Sequence, residues 1–187
     1  MPEYAARLAH CKMNDVKEVI LVNEADEVLG TMEKLEAHEK GLLHRAFSIF
    51  IFNPRGEMLL QQRADEKYHS GGLWTNTCCS HPEPGSELAY SALQRLKEEM
   101  GFETTLRHAF TFIYKASFDN GLTEHEYDHV FTGIYDGSIQ PDPAEVKHWD
   151  YFSIPQVKQM LAAEPGKFTA WFRIAFPLIE KHFENAE

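Results

Sequence analysis

The chain has 187 residues, of which 43% are hydrophobic and 25% charged, with a formal net charge of −11. That length and apolar content suit one domain with a buried core, and the acidity disfavours a nucleic-acid partner, whose phosphates select basic surfaces. No apolar run is long enough to span a bilayer, and Met1–Asp15 lacks the features of a secretory signal, so a cytoplasmic protein without membrane partners is expected.

Glu18 to Asn23 (EVILVN) reads as a short strand. Glu33 to Lys40 is charged and fits a helical turn or a loop. Ala46 to Phe52 (AFSIFIF) is a buried strand rich in Phe and Ile. Asn53-Pro54-Arg55-Gly56 is a turn, because Pro fixes φ and Gly permits positive φ. Glu57 to Arg63 then returns as the second arm of a hairpin. His69 to Gly85, with paired glycines and two prolines, reads as loop. Ser86 is placed as the N-cap of a helix whose body is Ala89 to Met100. Leu88, Ala92, Leu96 and Met100 lie on its apolar stripe, and Gly101 ends it. Leu106 to Phe118 and Tyr127 to Tyr135 are strands joined across Asp119-Asn120-Gly121, a hairpin signal in a loop longer than two residues. Val146 to Phe152 is a further strand. Ser153 caps a helix with Pro155 in its first turn. A last helix starts near Thr169, and Pro177 predicts a kink or break in it. No repeat or linker divides the chain. The order of elements implies an α/β or α+β sandwich with a mixed sheet.

Three polar groups stand out: His38 with His44, Cys79-Ser80-His81, and Glu124-His125-Glu126. In an extended chain, residues two apart face the same way. Cys79 and His81 then share a side, with Cys78 and Ser80 opposite, and Glu124 and Glu126 share a side. Three imidazoles and two carboxylates can converge on a divalent metal, with a donor set that suits Zn, Mn or Fe rather than Ca. Against this stands the fact that most histidines and glutamates simply face solvent. Arg95 and Glu99 share one helix face: a surface ion pair of little value, or a phosphate cation beside a Mg²⁺ carboxylate. Arg63 and Lys67 flank the same loop and suit phosphate oxygens. Cys11, Cys78 and Cys79 form no disulfide framework, and reduced thiols are expected.

Thr31-Met32-Glu33-Lys34 with His38, Leu43-His44-Arg45-Ala46-Phe47-Ser48, Trp74 to Pro82 (WTNTCCSHP), Arg95 to Gly101, Tyr114, Glu124-His125-Glu126 and Trp171 occur in this order from about residue 18 to 175. The set resembles the type I isopentenyl-diphosphate isomerases of the Nudix superfamily. The resemblance implies a Nudix-like mixed sheet sandwiched between helices in one compact domain spanning 1–187. Its core is about 18–175, and residues 1–15 form an extension. It implies conversion of isopentenyl diphosphate to dimethylallyl diphosphate, with Cys79 and Glu126 as opposed acid and base. Tyr114 positions the glutamate, and Trp171 lies against the cation. It further implies His38, His44, His81, Glu124 and Glu126 as ligands of a Mn²⁺ or Zn²⁺. Glu99, with the Cys79 carbonyl, holds Mg²⁺ on the diphosphate, and Lys34, Arg63, Lys67, Ser80 and Arg95 bind the substrate. The partner is thus a small isoprenoid diphosphate, taken by a monomer or weak homodimer.

One departure bears on the reaction. The Nudix hydrolase motif G-x5-E-x7-R-E-U-x-E-E-x-G-U, with U apolar, aligned on Glu98-Glu99, puts Ser80 at the first Gly, Ser86 at the first Glu, and Gln94-Arg95 at the Arg-Glu pair. Loss of these carboxylates argues against a hydrolase of small diphosphates, the main alternative. A binding module without turnover is the other, and the retention of Cys79, Glu126 and Trp171 counts against it.

Overall fold

A computed structural model describes residues 17–67, 69–118 and 120–184; the expected extension at 1–15, with Cys11, lies outside them. The strands are β1 (Glu18–Val22), β2 (Val28–Glu33), β3 (His44–Phe52), β4 (Met58–Arg63), β5 (Trp74–Thr75), β6 (Cys78–Ser80), β7 (Arg107–Ser117), β8 (Thr123–Ile134) and β9 (Val146–Phe152). The helices are α1 (Lys34–Lys40), α2 (Leu88–Met100), α3 (Ile154–Ala163) and α4 (Ala170–Glu184), with a 3₁₀ turn at Pro165–Lys167.

β3 is the hub of the mixed sheet. It pairs antiparallel with β1, β4 and β6 and parallel with β8. Its Phe/Ile run is buried on both faces, as a central strand requires. Phe47, Ile49 and Ile51 pack with Ala92, Leu96 and Met100 of α2. Phe50 and Phe52 join the opposite cluster, with Val157 of α3 and Phe172, Ala175 and Phe176 of α4. Helices therefore cover both faces of the sheet, as expected.

The hairpin at residues 53–56 forms around Asn53, whose Oδ1 accepts from the amides of Arg55 and Glu57. Gly101 closes α2 at φ 75°. A Cβ there would stand 2.1 Å from the Gln140 carbonyl oxygen, so only glycine fits.

The structure corrects several element assignments. The N-cap of α2 is Glu87, not Ser86: its carboxylate accepts from the amides of Ala89 and Tyr90. β8 begins at Thr123, so Glu124 and Glu126 lie within the strand. The loop expected at 69–85 contains β5 and β6, and the exposed strand β2 was not foreseen. α4 runs through Pro177. Arg173 and Pro177 both lie on its exposed face, so water can take the carbonyl that Pro leaves without a donor.

Candidate active site

The parallel pairing of β3 with β8 sets His44 opposite Glu126. Gly41, left-handed at φ 59°, ends α1 and turns the chain into β3, which brings His38 beside His44. β6 runs antiparallel to β3 and supplies His81 just beyond its end. Three distant segments thus deliver three imidazoles and a carboxylate, all buried, with one ligating atom from each lying within 4.8 Å of the others.

The hydrogen-bond pattern leaves lone pairs where a cation would sit. His38 Nδ1 lies 2.6 Å from the Lys34 carbonyl and His44 Nδ1 2.8 Å from that of Leu42. Carbonyls only accept, so each Nδ1 carries the proton and each Nε2 bears a lone pair. His38 Nε2 is buried without a hydrogen-bond partner. His44 Nε2 faces His81 Nε2 at 3.2 Å, with Glu126 Oε1 3.0 Å from the latter. Burial first, then the His44 charge, lowers His38 to about 4. Burial also lowers His81 to about 3, against the pull of Glu126. Neutral imidazoles are what metals bind, so the donor set fits a divalent ion. Of the five expected ligands the structure gathers four. Glu124 stands outside this group: Oε2 lies 3.0 Å from the Tyr114 hydroxyl, and Oε1 is 3.5 Å from His69 Nε2.

Beside the cluster is a pocket lined by Cys79, Ser80, His81, Tyr114, Glu124, Glu126 and Trp171, together with Lys34, Arg63, Lys67, Arg95 and Glu99. Every expected site residue except His38 and His44 lines it, and those two lie in the adjoining cluster. The alternation argument separates the two thiols. Cys78 is wholly buried in the core under α2, while Cys79 packs on the opposite cluster and reaches the pocket. Ser80 also reaches it, because β6 ends there and alternation no longer holds.

Buried polar side chains hold β6 in place. β3 and β4 pair only near the hairpin and then diverge. Thr77 fills the gap, accepting from the Ile51 amide at 3.0 Å and donating to the Leu59 carbonyl at 2.7 Å. Asn76 Nδ2 donates to the carbonyls of Ile49 and Cys78. Thr75 meets the hydroxyl of Thr169, just before α4 and Trp171. These polar residues are buried because they complete backbone groups that the split sheet leaves open.

Electrostatics divide the ionisable groups. Burial pushes the Cys79 thiol far up despite Arg63, so it stays protonated. Burial also pushes Glu126 up, but the neighbouring imidazoles of His44 and His81 outweigh it and hold the carboxyl well below the usual range. Glu124 is raised by burial and then by the Glu126 charge. Tyr114, raised by burial and by both glutamates, stays a phenol and donates to Glu126 Oε2 at 2.6 Å. Trp171 is 3% exposed, and the Arg63 guanidinium lies 5.2 Å from its ring centroid. Arg95 and Glu99 form no exposed surface pair: they are 2.9 Å apart, with side chains 11% and 8% exposed. Glu99 also accepts from Gln61 at 2.9 Å.

The sequence reading missed His69. Its ring stacks on Phe118, meets Trp171 edge-on and lines the pocket. The only available signal was its place two residues beyond Lys67, in a segment read as loop.

A mixed sheet between helices, with a Glu98-Glu99-x-Gly helix end beside a buried pocket, defines a Nudix-domain protein, and residues 42–172 match the NUDIX domain family. Solved structures share the fold. A MutT protein from Methanosarcina mazei aligns with TM-score 0.62 at 19% identity, over 78% of this chain and 96% of that one. The NUDIX domain of Shewanella oneidensis NrtR, complexed with ADP ribose, aligns with TM-score 0.59 at 17% identity, over 83% and 100%. Sequence relatives are more specific. The isopentenyl-diphosphate Delta-isomerase of Pectobacterium atrosepticum is 52% identical over 89% of this chain and 93% of its own, and that of Burkholderia multivorans 51% over 82% and 88%. The chain belongs to the isopentenyl-diphosphate Delta-isomerase family.

Proposed function

We propose that this enzyme converts isopentenyl diphosphate to dimethylallyl diphosphate by protonation and deprotonation through a tertiary carbocation. One observation carries the reading: a thiol kept protonated and a carboxylate kept ionised line the same pocket, with a phenol donating to the carboxylate.

Cys79, which carries a proton, adds it to the terminal alkene carbon, which becomes a methyl group. Glu126, which is ionised, takes a proton from the allylic CH₂, and the double bond moves inward. The diphosphate is unchanged and no net proton is consumed. Neither group is a strong acid toward an alkene, so the pocket must exclude water and stabilise the cation. Trp171 does so with its ring face, where a cation is worth up to ~2 kcal/mol when desolvated. Tyr114 orients the Glu126 carboxylate and moves with its proton.

His38, His44, His81 and Glu126 would hold a Mn²⁺ or Zn²⁺, with Glu124 alongside. Glu99 would hold Mg²⁺ with the diphosphate; each of its oxygens keeps a lone pair beyond its bond to Arg95 or Gln61. Bound there, the ions would neutralise phosphate charge and fix the Glu126 carboxylate. Lys34, Arg63, Lys67, Arg95 and Ser80 bind the diphosphate. These local cations answer the net charge of −11.

Proton NMR of isopentenyl diphosphate in D₂O with Mg²⁺ tests the reading. Deuterated dimethylallyl diphosphate without free phosphate is expected. Phosphate release would instead indicate a hydrolase. Unchanged substrate, with Mn²⁺ or Zn²⁺ also supplied, would indicate a binding module.

A further inference from the structure

Behind the cations lies a carboxylate that the reaction does not use. Glu145 immediately precedes β9, and its side chain is 14% exposed. Its Oε2 accepts from Lys67 Nζ and, at 3.0 Å, from Arg95 Nη2. The same Arg95 nitrogen lies 2.9 Å from Glu99 Oε1. Lys67 follows β4 and Arg95 lies within α2, so one oxygen ties together cations from two elements.

The backbone around Glu145 is fixed. Its amide donates to the Asp142 carbonyl at 2.9 Å, and its carbonyl accepts from the Ala64 amide at 3.0 Å. The Asp142 amide in turn donates to the Glu99 carbonyl at 2.9 Å. The carboxylate is thereby anchored to the end of β4 and to the last turn of α2.

On charge alone, an anion here weakens the pull of Lys67 and Arg95 on a diphosphate. Two other terms oppose that loss. Ordering a Lys or Arg side chain costs up to ~2 kcal/mol of rotamer freedom, and adjacent cations repel each other when they face one ligand. A carboxylate behind them meets both costs before the ligand arrives. It shares the Arg95 guanidinium with Glu99, at 2.9 Å from Nη2, and with Glu98, at 3.3 Å from Nη1.

We propose that Glu145 is a positioning residue that holds Lys67 and Arg95 in place for the diphosphate. This rests on the reading of Lys67 and Arg95 as diphosphate ligands. The test is calorimetric titration of inorganic pyrophosphate with Mg²⁺, alongside steady-state kinetics on isopentenyl diphosphate and a urea midpoint. Glu145→Gln should raise the pyrophosphate Kd and the substrate KM together by about tenfold or more, the scale of one charge-assisted hydrogen bond. Its kcat should change far less, because Glu145 lies off the reacting carbons. Glu145→Asp keeps the charge on a shorter arm and should show a smaller rise. With Lys67 and Arg95 both replaced by Ala, Glu145→Gln should add nothing. Pyrophosphate bound by Glu145→Gln as tightly as by the parent overturns the proposal, as does a further loss in the Lys67/Arg95 double variant. If Glu145→Gln does not fold, an unchanged Kd for Glu145→Asp overturns it equally. If Lys67→Ala and Arg95→Ala themselves leave pyrophosphate binding intact, the diphosphate reading of those two residues fails instead.

Discussion

Adjacent cysteines with opposite fates show how much one residue's setting decides. Cys78 is 0% exposed in the core under α2, and Cys79 reaches the pocket. We expect Cys79→Ala and Glu126→Gln each to lower turnover by orders of magnitude. Cys78→Ala should keep turnover and lose about 1–2 kcal/mol of stability, the scale of a small cavity. Steady-state rates on the three variants check this, and an inactive Cys78→Ala beside an active Cys79→Ala would reverse the assignment. The imidazoles carry a second prediction. In the unfolded chain His38 titrates near the ordinary 6.5, but folded it resists protonation until about 4. Between those values the unfolded state binds more protons, so stability is complete above about 6.5 and is lost as pH falls toward 4. His81, held down to about 3, acts in the same direction. Urea midpoints across this window should fall with pH; a flat series would contradict the prediction. The thiol split was legible in the sequence because alternation is a property of neighbours. The place of His69 in the pocket was not, because its contacts with Phe118 and Trp171 come from distant parts of the chain.

At the scale of elements, β6 is three residues long and cannot hold itself in place. Thr77 does much of the holding through the gap between β3 and β4. Thr77→Val keeps the shape but leaves the Ile51 amide and the Leu59 carbonyl without a partner, each costing about 1–3 kcal/mol when buried. We expect a lower urea midpoint together with slower turnover, since Cys79 shifts with the strand. Full activity at reduced stability would show that β6 is placed by other means. Periodicity exposed the long apolar strands and the helix bodies. It missed β2, which is largely exposed and offers no apolar alternation, and β5 and β6, which at two and three residues are too short to show a period. Ser86 and Glu87 are both able to cap, and only the observed hydrogen bonds to the Glu87 carboxylate decide between them.

Over the whole molecule, the parallel pairing of β3 with β8 is the feature that sequence could not supply, since no local pattern names a strand's partner. It is also what closes the cluster of His38, His44, His81 and Glu126. An ion held there would join segments far apart in the chain and bind the folded state alone, so it would add to stability. Dialysis against a strong chelator should lower both metal content and melting temperature, and Mn²⁺ or Zn²⁺ should restore them; an unchanged melting temperature would make the cluster metal-free. The same geometry has a meaning in time. A ribosome delivers His38 and His44 first, His81 later, and Glu126 a further 45 residues on. Until β8 emerges, the early histidines have neither their carboxylate nor the strand that aligns it. A growing chain is thereby spared a finished chelating cage, and the centre matures only once nearly all the sheet has been synthesised.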